Sequence, residues 1–460
     1  MSRPVVPPLY QALRSTAAAA LRGFYRKIEV TGLEHVDGSK PTILACTHPN
    51  SIVDPLLVGI FEDRPVTFCA RDGLFRIPVL GQILRAVGAV AIRRRSDHPG
   101  SADNSEAFVE CRRVLERGGV LSIFPEGKTH AKLRVEPLKT GIARIALDAE
   151  ANREAPLGVR IVPIGLNYLV RHAFRSDVHV AFGEPIEVAS LLEGNREIEP
   201  RLLVRELTDR LGDELRRVAV HVEKEEDERL IAQVTAIIVG LRAEEGLDTG
   251  GQSPAERTAL VQRVIDAYHW LGEKDPKLRA SLRERLDAYM DERQRLGLGG
   301  ERAVLQHRGE RHLGREAQPR LHRVWLVAGA PLALYGLVNS AVPYLLLRII
   351  LSIGRPSAYR VALTKLVGGG LLFSACYAGQ TAWVGSVLGP LPATAYALGL
   401  VPSALFALRY VTDLRLHRLD PISLLRRLRH RGRISALRAE REALAAELAK
   451  LRHAYLAEIE

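Results

Sequence analysis

A histidine and a carboxylate with five residues between them, His48 and Asp54, sit in the stretch Thr47-His48-Pro49-Asn50-Ser51-Ile52-Val53-Asp54-Pro55. The apolar run Thr42 to Cys46 before them reads as a buried strand, and Leu56 to Ile60 continues an apolar face. The histidine therefore leaves a strand end, where loops on a rigid sheet present reactive groups. Pro49-Asn50-Ser51 is helix-start chemistry, with Asn50 and Ser51 able to cap. Asp54 then falls about one turn into the helix, where its carboxylate can reach back to the imidazole. Such a contact fixes the tautomer and raises the basicity of the other ring nitrogen, which suits His48 to take a proton from an alcohol. A His-Asp pair alone is equally a capping cluster with a structural histidine, so its meaning depends on what accompanies it.

Two further strand ends carry chemistry. Gly88 to Arg95 is a strand that stops in three consecutive arginines, Arg93, Arg94 and Arg95, and Val120 to His130 is a strand opening into the charged loop Pro125-Glu126-Gly127-Lys128. Arginines at a sheet edge can be solvated decoration, but their planar donor fork also makes them preferred partners of a phosphate.

Composition narrows the ligand. Lys and Arg outnumber Asp and Glu by 65 to 53, a formal charge of +12. That balance suits nucleic acid, anionic lipid or phosphorylated small molecules. Aromatic residues are only 5%, and no RNA-binding or zinc-finger signature is present, which argues against nucleic acid. Cys46, Cys69, Cys111 and Cys376 fit neither a zinc spacing nor a disulfide framework, as expected of a reducing compartment, and no clustered ligand set calls for a metal. Met1 to Pro8 lacks the pattern of a secretory signal.

The chain resembles the glycerol-phosphate and lysophospholipid acyltransferase family through four motifs in order. His48 and Asp54 match its His-Asp motif, Gly88 to Arg94 the second, Phe124-Pro125-Glu126-Gly127 the third, and Val162-Pro163-Ile164 the fourth. Many members place four residues between the His and Asp, and most continue the third motif with Thr-Arg-Ser. Five residues here, and Lys128-Thr129-His130, resemble instead the branch that acylates glycerol 3-phosphate or dihydroxyacetone phosphate, as does Leu138 to Leu147. The resemblance implies a mixed α/β sheet flanked by helices and an O-acyltransferase using an acyl thioester, either acyl-CoA or acyl carrier protein. It makes His48 the base and Asp54 its orienting carboxylate. Arg94, with Arg93 and Lys128, would anchor the acceptor phosphate, while Glu126 and Gly127 would shape the acceptor site. Asn50, Ser51, Pro125 and Pro163 would shape the motifs, and backbone N-H groups near Pro49 to Ser51 or Gly127 would serve an oxyanion. No metal or bound cofactor is required. Three alternatives stand beside this reading: a lysophosphatidate or other lysophospholipid acceptor, a thioester hydrolase, and a non-catalytic membrane scaffold.

Residues 1-27 read as an amphipathic helix that either lies on an anionic membrane surface or packs on the domain behind it. Residues 28-191 alternate short apolar runs with helices, the pattern of the α/β catalytic domain. Strands are expected at Val66 to Ala70, Ala89 to Ile92, Val120 to Phe124, Ile161 to Leu166 and Val178 to Phe182. Helices fall at Leu74 to Val87, Asn104 to Arg117 and Pro137 to Glu150. His98, His172 and His269 read as surface or packing residues. Residues 192-320 are charged and helical, an accessory region with the acidic run Glu223 to Glu228. Ser253 caps a helix from Pro254 to about Val264, a second helix covers Ala280 to Arg295, and Gly297 to Gly300 break it.

In residues 321-410, Val324 to Leu347 and Leu366 to Leu408 carry no charged residue. The second is long enough for two spans, and the first, holding Pro331, Gly336, Asn339 and Pro343, is expected to be broken or re-entrant. Basic residues flank both stretches, so a re-entrant first segment leaves the catalytic domain and tail together on the cytoplasmic side of an inner membrane, whereas a full span would put them on opposite sides. Residues 411-460 begin with an Arg-rich helix (Arg426, Arg427, Arg429, Arg431, Arg433) suited to anionic lipid. Ile434, Leu437, Leu444, Leu448, Leu451 and Tyr455 then form about three heptads, a seam a homodimer could use.

Overall fold

The computed structural model describes residues 6-36, 38-94, 97, 103-151, 156-171, 173-194, 199-244, 253-296, 319-357, 360-416 and 430-459. Arg95, His98, His172, Gly297 to Gly300, Arg426, Arg427 and Arg429, named above, lie outside them. The chain divides into two compact units. One holds residues 1-225 with 358-362, and the other holds 226-357 with 363-460.

The first unit opens with helix α1 (Pro8–Phe24), a proline in its first turn, where no backbone donor is lost. Tyr10, Leu21 and Phe24 are buried, and the Tyr10 hydroxyl accepts the Val66 N-H at 3.0 Å. Of the two readings of this helix, packing on the domain is therefore the one observed. There follow β1 (Lys27–Thr31), β2 (Thr42–Cys46), α2 (Val53–Gly59), β3 (Val66–Arg71), α3 (Leu80–Ala86), β4 (Val90–Ile92), α4 (Ser105–Glu116), β5 (Val120–Ile123) and α5 (Gly141–Glu150). β6 (Arg160–Tyr168), β7 (Asp177–Phe182), β8 (Ile186–Glu187), α6 (Val188–Gly194) and α7 (Pro200–Val218) complete the unit.

The strands form one mixed sheet in the order β1-β7-β6-β2-β5-β3-β4, with β8 also on β6. Among the described residues, only the β6-β7 and β6-β8 pairings are antiparallel. All five residues of β2 are buried, as expected of a central parallel strand covered on both faces. Pro163 has no N-H to give a ladder, and β6 places it where none is needed. β8 pairs with Arg160 and Ile161, β7 pairs from Ile164 onward, and Pro163 lies at the changeover, its carbonyl accepting the Gly183 N-H at 2.8 Å.

α7 carries Leu203, Leu207, Leu211 and Leu215 at four-residue spacing, all buried in the core with Ile142 and Ala146 of α5. A Cβ on Gly165 of β6 would stand 2.1 Å from the Val218 carbonyl oxygen, so the end of α7 reaches the sheet only over a glycine. The unit consequently runs on to residue 225, beyond the boundary at 191 expected from composition.

The second unit starts with α8 (Glu228–Glu244), α9 (Pro254–Lys274) and α10 (Pro276–Arg295). Ser253 caps α9 as expected, in a reciprocal pair with Glu256, and the helix continues ten residues past Val264 to Lys274. α11 (Pro319–Gly354), α12 (Val361–Leu388, with a π-helical segment at Thr364–Gly369), α13 (Pro390–Leu416) and α14 (Arg431–Ile459) follow.

Three of these helices are long and apolar enough to cross a membrane, over Val327–Gly354, Val361–Leu388 and Pro390–Thr412. The expectation of a broken first segment is corrected here, because α11 is continuous through Pro331 and Pro343. Close helix packing accompanies it. A Cβ on Gly336 would come within 2.1 Å of the Ser403 carbonyl oxygen of α13. Gln380 donates to the Asn339 carbonyl at 3.0 Å, and the Tyr396 hydroxyl donates to the Asn339 side chain.

The tail also differs from expectation. Ile434, Leu444 and Leu448 of α14 are buried within the chain, and Arg285 of α10 binds Glu440 at 3.0 Å and also Glu447. The heptad face that could have served a dimer is occupied by α8, α9 and α10 of the same chain.

Candidate active site

β2, β5, β3 and β4 run parallel and side by side, so their C-terminal ends share one edge of the sheet. The loops that leave this edge hold His48 after β2, Glu126 after β5 and Arg93-Arg94 after β4. β6 is parallel to β2 with Ile164 opposite Cys46, and continues to Tyr168 at the same edge.

The turn after β2 is tight, with Ser51 at φ +54°. α2 begins only at Val53, and neither Asn50 nor Ser51 caps it. Asp54 sits in its first turn, fully buried. Its Oδ2 accepts the Asn50 N-H at 2.7 Å and the His48 Nδ1-H at 2.9 Å, and its Oδ1 accepts the Tyr168 hydroxyl at 2.6 Å. Nδ1 is thereby the protonated nitrogen, and the lone pair lies on Nε2, which has no hydrogen-bond partner among the described residues. Burial, reinforced by the Asp54 charge, pushes the Tyr168 phenol well above its ordinary value, so it stays a donor.

The backbone of His48 is clamped by the β5 loop. Its N-H donates to Glu126 Oε1 at 3.1 Å, and its carbonyl accepts the His130 N-H at 3.3 Å. The imidazole stacks on Phe124 with centroids 4.1 Å apart. The other oxygen of Glu126 accepts the His130 Nε2-H and the Glu136 N-H, the latter at 3.2 Å. Expected at the acceptor, Glu126 is instead buried and holds two loops together. Gly127, at φ +69°, makes the turn that permits this. Pro125 is buried, and its carbonyl accepts the Lys139 N-H at 2.8 Å.

Of the cations assigned to a phosphate, Lys128 already pairs with Glu136 at 3.1 Å. Burial raises the Glu136 carboxyl, but hydrogen bonds and charge from Lys128 and Arg134 outweigh it and lower its pKa to about 2. Arg93 is exposed, its backbone held by Asn104 at 2.8 and 2.9 Å, whereas Arg94 is half-buried. Three strand spacings separate β4 from β2, about 14 Å along the edge.

Tyr168, Tyr25 and Arg171 were not singled out from the sequence. Asn50 Nδ2 donates to the Tyr25 hydroxyl at 3.1 Å and to the Arg171 carbonyl at 3.2 Å, and the Arg171 guanidinium donates to the His130 and Ala131 carbonyls. None of the three stands at a fixed spacing from His48. The available signal was positional, since Tyr168 ends the strand that carries the fourth motif.

Residues 27-167 match the family model described as acyltransferase. The chain is 37% identical over 130 residues to glycerol-3-phosphate O-acyltransferase 1 of Saccharomyces cerevisiae, covering 27% of this chain and 16% of that protein. It is 26% identical over 150 residues to the chloroplastic 1-acyl-sn-glycerol-3-phosphate acyltransferase BAT2 of Brassica napus, covering 33% of this chain and 40% of that protein. Against the 1-acyl-sn-glycerol-3-phosphate acyltransferase of Borreliella burgdorferi it is 28% identical over 178 residues, 37% of this chain and 66% of that one. The chain thus spans less than a fifth of the length of the first curated relatives it matches.

Proposed function

We propose, from the match of residues 27-167 to the acyltransferase family model, that the protein transfers a fatty acyl group from a thioester to the hydroxyl of glycerol 3-phosphate or dihydroxyacetone phosphate. The observation that carries the proposal is the His48-Asp54 contact, which leaves Nε2 as the basic nitrogen at the sheet edge. Nε2 takes the acceptor proton as the oxygen attacks the thioester carbonyl, and returns it to the departing thiolate. Asp54 stabilises the imidazolium, and Tyr168 and the Asn50 N-H hold Asp54 in place. Arg94, assisted by Arg93, anchors the phosphate from the far side of the edge and so presents the hydroxyl to His48. Coenzyme A or an acyl carrier protein supplies the acyl group, and no metal or bound cofactor enters the steps. The three apolar helices hold the protein in a membrane, with the catalytic domain on the cytoplasmic side.

A lysophosphatidate acceptor is the second reading, supported by the plant and bacterial relatives named for that activity. An acyl-transfer assay with radiolabelled acyl-CoA, offering glycerol 3-phosphate, dihydroxyacetone phosphate and lysophosphatidate in turn, tests both. Faster turnover of either small phosphate supports the first reading. Turnover of lysophosphatidate alone replaces it with the second.

A further inference from the structure

α8, α9, α10 and α14 pack as a four-helix bundle whose centre is not filled. Between them lies an apolar cavity of about 270 Å3, lined by residues such as Ile231, Val264, Leu282, Leu286 and Leu448. A dry cavity of about 150 Å3 with such walls already takes up benzene, because the wall atoms lack partners on their open side.

The charged residues that line this cavity are all basic. Arg263, Arg279, Arg283 and Arg452 contribute to its lining, and no Asp or Glu does. Arg283 is committed to Asp227 at 2.6 Å. Arg263 and Arg279 have no carboxylate within ion-pair distance among the described residues. Arg279 instead lies over the Tyr268 ring, 5.4 Å from its centroid. Elsewhere in the same bundle arginines do find acids, as Arg285 does with Glu440 and Glu447. An apolar interior beside cations without counter-charges is complementary to an amphiphile with one tail and one anionic end.

We propose that this bundle is a binding site for a single acyl chain with a compact anionic head, the chain in the cavity and the carboxylate or phosphate on Arg263 and Arg279. The site lies within the second unit and does not depend on the acyl-transfer reading.

The full chain in lipid nanodiscs, photolabelled with a diazirine analogue of palmitic acid, provides the test. Label is expected on peptides from 254-295 and 431-459. Palmitate or lysophosphatidate should compete it away, but hexadecanol, which has the tail and no charge, should not. The stronger of the two competitors identifies a carboxylate or a phosphate head. Ala267→Trp, which fills the cavity, should abolish bundle labelling, and Arg279→Glu, which reverses a charge outside the core, should lower it about tenfold, the weight of one charge-assisted contact. His48→Ala should label like the wild type. Bundle peptides without label, labelling unchanged in Arg279→Glu, or equal competition by hexadecanol would overturn the proposal.

Discussion

The two units treat their polar groups in opposite ways. Around His48 both oxygens of Asp54 and both oxygens of Glu126 are occupied by donors from other parts of the chain. In the helical unit, ion pairs such as Arg285-Glu440 lie on the outside of a bundle with space at its centre. A proton-transfer site gains from fixed geometry, because a misplaced base loses rate steeply. A bundle that need only hold an acyl chain gains from unfilled apolar volume. The sheet edge is therefore built for position and the bundle for capacity.

The bundle must form in the membrane-bound protein. α8, α9 and α10 precede the three apolar helices and α14 follows them, yet the four pack together. They must share one side of the bilayer, so at most two of the three apolar helices cross it fully. Cysteines placed at Ser281 and Ser435, both exposed, should react with a membrane-impermeant thiol reagent from the same side of sealed vesicles. Labelling from opposite sides would show three full crossings and a tail detached from α10.

Within the sheet domain the expected effects are graded. Asp54→Asn should lower kcat on the order of 100-fold or more, since the ring loses its tautomer and its charge partner. Arg94→Ala should raise the acceptor KM by about 10- to 150-fold, the loss of a charge-assisted pair, with the acyl-CoA KM little changed. Arg94→Lys should recover only a fraction, because an ammonium lacks the planar fork. A larger effect at Arg93 would move the phosphate site. Tyr168→Phe should cost about 1 kcal/mol, roughly fivefold in kcat, because the Asn50 N-H and His48 still hold Asp54. A hundredfold loss there would make the phenol part of the proton path.

The smallest effect is on stability. Glu136 is held at about 2 in the fold against an ordinary value of 4.5, so its contribution is present above pH 4.5 and lost as pH falls towards 2. The thermal midpoint should fall across that window, and less in Glu136→Gln. An identical pH dependence in the variant would remove Glu136 from the loop's support.

Much of the sheet was legible because its strands are short apolar runs with turn residues at their ends. β2 spans Thr42–Cys46 as expected, and the β3, β5 and β7 starts fall within one residue of the sequence reading. β1 escaped because Lys27–Thr31 mixes charge with apolar residues and follows directly on a helix. At the site, local spacing located His48 and Asp54 but had no means of finding Tyr168, whose position depends on β6 outrunning β2. It also assigned Glu126 by motif to the acceptor, because a carboxylate's partners are set by loop packing and not by its neighbours in sequence. The prolines of α11 misled for a related reason, since their effect on a helix depends on what the adjoining helices supply.

The claim on which the rest depends is that His48 takes a proton from an acceptor hydroxyl. It is tested most directly by thiol release from palmitoyl-CoA, followed with and without glycerol 3-phosphate in wild type and a folded His48→Ala variant. Base catalysis by His48 requires release that appears only with the acceptor and vanishes in the variant. Release that ignores the acceptor, or persists at the wild-type rate without His48, would contradict it.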